Sequence, residues 1–250
     1  MEFPNVERFL SAVQTLPTNR PLSKEDLLTD RFLMEKDERI EMYYAPHNEY
    51  INEKAKIVFV GITPGFHQMK TAFEQCIRSK NSGSSLEMCL KDAKREAGFA
   101  GSMRNNLIQM LDELWIPEGL NLSEAADLFG GSRHLIHTTS VIKYPTFVKG
   151  KNYTGHQPPI HRSHLLKHYA YNVFPDELSK IDSHALLIPL GKTVEQVMAT
   201  LVQENKWYGH DYLIGLPHPS GANGHRMKQF QQQKESLQSQ IRVWVEKRDK

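Results

Sequence analysis

Cysteine is scarce in this 250-residue chain, and the two present, Cys76 and Cys89, have no CxxC spacing. That excludes a four-cysteine zinc site and a cysteine-held iron–sulfur cluster, and it suits a reducing compartment. Long apolar runs are missing too: no stretch approaches the roughly 18 residues needed to span a bilayer. The opening MEFPNVERFL has neither the basic nor the apolar region of a secretory signal. The cytoplasm is therefore the expected location, no membrane partner is expected, and the sequons at Asn121 and Asn152 carry no meaning there. An excess of one charge is also lacking. The net charge is +2, so a nucleic-acid partner would have to be held by a local basic surface. GKT at 191–193 is like a phosphate-binding loop, but the glycine required five positions earlier is replaced by Leu186. No G-x-S-x-G elbow and no dinucleotide fingerprint occur, so neither a hydrolase triad nor an organic cofactor is implied. His161, His164 and His168 share a helical face, but no acidic residue nearby completes a ligand set, and no metal is expected.

What is there reads as an α/β chain. Four short apolar runs, KIVFV (56–60), HLIHTTSV (134–141), ALLIPL (185–190) and DYLIGL (211–216), have the continuous hydrophobicity of buried parallel strands. Helical spacing separates them. Met103, Leu107, Met110, Leu111 and Leu114 share one face, Val194, Val197, Met198 and Leu201 another, and Met227, Phe230, Leu237, Ile241 and Trp244 a third. Residues 4–17 read as a short amphipathic helix and 31–44 as a charged one; a long helical segment is expected between Met69 and Gly101. The expected fold is a three-layer α/β/α arrangement with a central, mostly parallel four-stranded sheet. It is read as one domain over 1–250, with a helical cap at 1–50 and a core at 55–245.

Two strands end in turns of unusual composition. GITPGFHQ at 61–68 follows the first, and LPHPSGANGHR at 216–226 follows the fourth. Each combines glycine, proline and histidine at the carboxyl end of a strand, where open α/β sheets bind ligands. The two turns are expected to form opposite walls of one site.

Taken with their strands, these turns resemble the uracil-DNA glycosylase superfamily. Gly61, Pro64 and Gly65 match its Gly-x-x-Pro-Gly turn, His218, Pro219 and Ser220 its late His-Pro-Ser turn, HTTSVIKYP (137–145) its second strand, and IPLGKTVEQVM (188–198) its third strand and following helix. The resemblance spans roughly residues 55–245 and keeps the family's order. It implies a monofunctional glycosylase, without metal or organic cofactor, that hydrolyses the N-glycosidic bond of a base flipped out of DNA. No lysine stands within either turn to form a Schiff base. Gly61, Ile62, Pro64 and Gly65 would let the backbone approach the extruded nucleotide, with Phe66 stacking on its base. His218 would donate a hydrogen bond to the departing base. Ser220, Gly221 and Ala222 would hold a phosphate at the start of the final helix, with Asn223, His225 and Arg226 probing the duplex.

The chain departs from the family pattern at two places. Where many relatives carry Asp or Asn to position water, it has Thr63, which can hold a water but is a poor base; His67 is the nearest titratable group. Where an Asn amide commonly reads uracil, it has Ser140. With the insertion YPTFVKGKNYTGHQPP (144–159), this points to a modified pyrimidine as substrate. Such bases occur in some viral DNA, so a defence role against phage belongs to that expectation, with plain uracil the conservative one. Lys143, Lys149 and Lys151 give residues 143–168 a basic bias, and Tyr144, Phe147 and Tyr153 are expected to interleave as stacking platforms. The expected partner is DNA containing a damaged or modified base, met by a monomer. Thr63 and Ser140 keep open a non-catalytic nucleic-acid binder on the same scaffold, since fold does not establish activity.

Overall fold

The apolar run at 57–60 is buried on both sides, with Ile57, Val58, Phe59 and Val60 all at 0% exposure. Such a segment cannot lie at a sheet surface; it needs a strand on each edge and helices on each face. The computed structural model, which describes residues 4–99, 101–181, 184–206, 208–221 and 223–248, gives it that setting. In chain order the elements are α1 (Pro4–Gln14), α2 (Lys24–Leu27), β1 (Leu33–Lys36), β2 (Ile40–Tyr43), β3 (Ile57–Gly61), α3 (Phe66–Asn81), α4 (Leu86–Ala97), α5 (Gly101–Glu113) and α6 (Ile116–Gly119). Then come β4 (Ile136–Ser140), β5 (Thr146–Val148), β6 (Lys151–Asn152), α7 (His164–His168), α8 (Phe174–Leu178), β7 (Leu186–Pro189), α9 (Lys192–Gln203), β8 (Asp211–Tyr212) and α10 (Arg226–Arg248). Contacts group the chain into two compact units, one drawn from Met1–Ile51, Thr63–Gly98 and Ile142–Asn172, the other from Asn52–Ile62, Phe99–Val141 and Val173–Lys250.

The second unit holds the expected four-stranded sheet, in the order β4-β3-β7-β8 with every pairing parallel. One face carries Ile57, Phe59, Ile136, Leu186 and Ile188, packed with Leu107, Met110, Leu111 and Leu114 of α5 and Phe230, Leu237, Ile241 and Trp244 of α10. On the opposite face His137 Nε2 meets Glu177 of α8 at 2.9 Å, both side chains buried. Helix, sheet and helix thus make three layers. The 23-residue α10 stays helical because its apolar residues recur at three- and four-residue multiples and form one stripe. Strand β8 is shorter than DYLIGL suggests, covering Asp211–Tyr212 alone.

The first unit contains a second sheet that the sequence reading does not anticipate, antiparallel and ordered β1-β2-β5-β6. The charged helix expected over 31–44 is instead the β1–β2 hairpin. Asp37 decides it: its Oδ1 accepts the amides of Arg39 (3.1 Å) and Ile40 (3.0 Å), capturing donors a helix would need. The described residues up to 50 therefore combine α1, α2 and a 3-10 turn at Pro46–Asn48 with strands β1 and β2. The insertion at 144–159 supplies β5 and β6, whose register pairs Val148 with Lys151 around the two-residue loop Lys149–Gly150. Both loop residues have positive φ, 53° and 70°, the type I′ turn whose twist suits a hairpin. Helices α3 and α4 fill the helical segment expected before Gly101 and pack through Ala72, Cys76, Cys89 and Ala93.

Candidate active site

In the second unit the parallel strands bring their carboxyl ends to one edge. Gly61 pairs with Ser140 across β3 and β4, and a side chain at 61 would stand 3.3 Å from the Ser140 hydroxyl oxygen. The Val141 amide donates to Gly61 O at 3.0 Å, and the Leu190 amide to Val60 O at 2.9 Å. The next residue, Gly191, has φ +101°, a conformation that favours glycine. Its missing Cβ would lie 3.2 Å from Cδ2 of His218. Ser140, Gly61, Gly191 and His218 thus follow one another along the edge. Gly61 and Gly191 each leave room for the polar side chain beside them.

His218 is a prepared donor. The Ser220 amide donates to its Nδ1 at 3.1 Å, so the neutral ring carries its proton on Nε2. The ring is half-buried, and burial lowers its pKa below the ordinary 6.5, which keeps it neutral at neutral pH. The turn around it is held from several sides. Asn106 of α5 donates to Pro219 O at 2.8 Å, and Gly221 allows approach to Ser102, whose Oγ would be 3.1 Å from an added Cβ. Asn223 donates to His218 O (3.2 Å) and Gln229 Oε1 (3.0 Å) while its own Oδ1 accepts the His225 amide (3.3 Å). The Arg226 guanidinium donates to Asn223 O at 3.2 Å. Ser220 is half-buried, and Gly221 and His225 are exposed beside the start of α10; Ala222 lies outside the described residues.

Thr63 to Gln68 belong to the first unit. Thr63 Oγ1 donates to Tyr144 O at 2.8 Å, so its hydroxyl proton is committed and only its lone pairs face other partners. Pro64 is buried, and Ile62, which lies in the second unit, is half-buried. The Gly65 amide donates to Gln68 Oε1 at 3.1 Å, starting α3. The Phe66 ring is half-exposed rather than core, with Lys24 Nζ 5.8 Å from its centroid. The same ammonium donates to Gly150 O at the hairpin tip, at 3.1 Å. The Phe66 amide donates to Oδ1 of Asn152 on β6 at 3.0 Å. His67 is exposed, as are Lys149 and Lys151, while Lys143 is half-buried with its Nζ 5.8 Å from the Tyr144 ring.

Three of the expected stacking platforms are corrected. Tyr144 (4% exposed), Phe147 (0%) and Tyr153 (4%) are core residues. The Tyr144 hydroxyl donates to Glu49 at 2.8 Å, Phe147 packs edge-on to Tyr43, and the Tyr153 hydroxyl donates to Pro158 O at 2.6 Å. Strand β5 is buried at both Thr146 and Phe147, whereas Lys149 and Lys151 stand exposed at the hairpin turn and on β6. Sequence reading missed Gly191, Asn106, Asn152 and Lys24. Gly191 has a signal in IPLGKTVEQVM, which marks the turn between a strand and a helix but not the approach of His218. The other three act through contacts distant along the chain.

Comparison with known proteins agrees with the motifs. A family model described as "Uracil DNA glycosylase superfamily" matches residues 49–241. A protein of Bacillus subtilis (strain 168) described as "Uncharacterized protein YoxB" is 50% identical over 240 residues, covering 96% of this chain and 93% of its own. Among the described residues no helix is long and apolar enough to cross a membrane.

Proposed function

Because the chain belongs to the uracil DNA glycosylase superfamily, we propose that it is a monofunctional DNA glycosylase that removes uracil or a modified pyrimidine from DNA. The observation that carries this reading is His218, with Nδ1 occupied by the Ser220 amide and Nε2–H left as donor at the carboxyl edge of the parallel sheet. When the C1′–N bond breaks, its electron pair passes to the base, and negative charge collects on a carbonyl oxygen. A preorganised neutral donor stabilises that charge without costing a proton transfer. Water then adds to C1′, its proton passes to His67, and the departing base anion takes a proton from solvent.

The remaining roles follow the residue chemistry. Gly61, Ile62, Pro64 and Gly65 supply backbone that approaches the extruded nucleotide, and Phe66 a ring face for its base. The Thr63 oxygen holds the water as acceptor, with His67 as proton acceptor. Ser140 contributes a short hydroxyl to base binding. Lys143, Lys149, Lys151, Ser220, Gly221, His225 and Arg226 meet phosphates, and Asn223 serves the same surface by holding the turn in shape. A base enlarged at C5, as in some viral DNA, would place the enzyme in defence against phage.

The test is excision by the purified protein from duplexes carrying uracil or C5-modified uracils, read as alkali-sensitive strand breaks. Breaks at either base support the reading, and activity on uracil alone removes the modified-base part. Intact strands with every base, alongside DNA binding, favour the non-catalytic binder, which the committed Thr63 hydroxyl also suits.

A further inference from the structure

Ser140 lacks the paired donor and acceptor with which an amide reads a pyrimidine edge, yet a side-chain amide, that of Asn152, is bonded to the backbone N–H of Phe66. We propose that Asn152 is the base-reading residue, and that it selects bases with an imide edge, a carbonyl adjacent to a ring N–H, as in uracil and its C5-substituted forms. The proposal rests on the glycosylase or base-binding reading of Phe66.

The geometry is specific. Asn152 Oδ1 accepts the Phe66 amide at 3.0 Å, which fixes which end of the amide is oxygen. Nδ2 lies 3.4 Å from where a Cβ on Gly65 would stand, so the amide packs against the Gly65 backbone, whose φ is ordinary at −82°. The side chain is exposed, and among the described residues no hydrogen bond from Nδ2 is present. Lys151 and Asn152, the two residues of β6, are both exposed, and the chain turns inward only at Tyr153. Its strand is held in register by the Lys149–Gly150 turn and by the pairing of Phe147 with Asn152, and Lys24 ties that turn down through Gly150 O.

An amide so fixed has two N–H donors and one oxygen lone pair to offer. Uracil matches it, its carbonyl accepting from Nδ2 and its N3–H donating to Oδ1. Cytosine presents the reverse, an N3 acceptor against Oδ1 and an amino donor against Nδ2. A freely turning amide would rotate to suit it. Here rotation would set Nδ2–H against the Phe66 N–H, two donors face to face, so cytosine is rejected. The contacted edge does not include C5, which leaves a C5 substituent as a matter of space alone.

Asn152→Asp separates reading from mere support, because a carboxylate keeps the acceptor for the Phe66 amide and loses both donors. The measurement is fluorescence anisotropy of the full chain with single-stranded oligodeoxynucleotides containing one 2′-fluoroarabino-uridine or 2′-fluoroarabino-cytidine, whose bases stay attached. The wild-type protein is expected to prefer uracil by about tenfold to a hundredfold, the worth of one bidentate base contact. Asn152→Asp and Asn152→Ala should abolish that ratio; any general charge repulsion in the Asp variant cancels in it. An unchanged ratio in both variants, or no preference in the wild type, overturns the proposal. Absent excision with the ratio intact and Asn152-dependent would sink the glycosylase reading and leave this one standing, while intact excision with an Asn152-independent ratio would do the reverse.

Discussion

The two units use their sheets differently. In the second, β3 is sealed between parallel neighbours and two helical layers, and the proposed chemistry lies at the strand ends, where Gly61, Ser140 and His218 are fixed by backbone contacts. In the first, the antiparallel strands are short, and the chemistry-bearing groups stand on an exposed hairpin and the first turn of α3. Phe59 and Phe66 show the contrast within seven residues: one ring is fully buried, stacked on Phe129 and edge-on to Phe99, the other half-exposed beneath a lysine. A buried parallel strand provides rigidity that precise donor placement requires, and an exposed hairpin provides surface for a polyanion. Apolar character alone does not distinguish the two jobs; position in the sheet does.

The sharpest break of this comparison is in stability. Phe59→Ala should cost about 3–5 kcal/mol in urea unfolding, whereas Phe66→Ala should change it by less than about 0.5 kcal/mol while weakening DNA binding by about 1–3 kcal/mol. Equal stability losses would erase the distinction between the rings. Next in size, His218→Ala should slow single-turnover excision by about a hundredfold to a thousandfold with the melting temperature nearly unchanged; a small rate effect would remove the donor from the chemistry.

A smaller effect is expected on the first unit's surface. Replacing Lys149 and Lys151 together with alanine should weaken binding to all sequences alike and reduce the slope of log affinity against log salt by roughly 0.7–0.9 per lysine. No change in slope would take the hairpin out of the DNA interface. The smallest effect is a pH dependence that fails to appear. Burial lowers the folded pKa of His218 from 6.5, so on acidification the unfolded chain takes this proton first. The histidine's contribution to stability is complete above 6.5 and is lost as pH falls through the folded value. The difference in urea-unfolding stability between the wild-type chain and His218→Gln should accordingly stay flat from neutrality down to 6.5 and fall only below it; a change above 6.5 would contradict the burial.

Much of this was legible in the chain. IVFV and LLIP announce strands because a run apolar on both faces has no other stable home, and the Gly-x-x-Pro-Gly and His-Pro-Ser turns mark the family through residues local to each turn. The hairpin β1–β2 was not legible, since LMEKDERIEMY has the charge density of a solvated helix and the deciding event is Asp37 taking two amides. Tyr144, Phe147 and Tyr153 misled for a related reason: aromatic rings between lysines look the same in sequence whether packing turns them in or out.

By itself the sequence determined the parallel sheet, its helices and the two turns that carry the family's motifs, because hydrophobic periodicity and turn chemistry act over a few neighbouring residues. Only the tertiary structure decided that Gly191 backs His218, that Ser220 sets its tautomer within an anchored turn, and that Asn152 meets Phe66. Those relations join residues far apart in the chain or depend on a ring's orientation, and such pairings exist only once strand register and turn geometry have been fixed by packing.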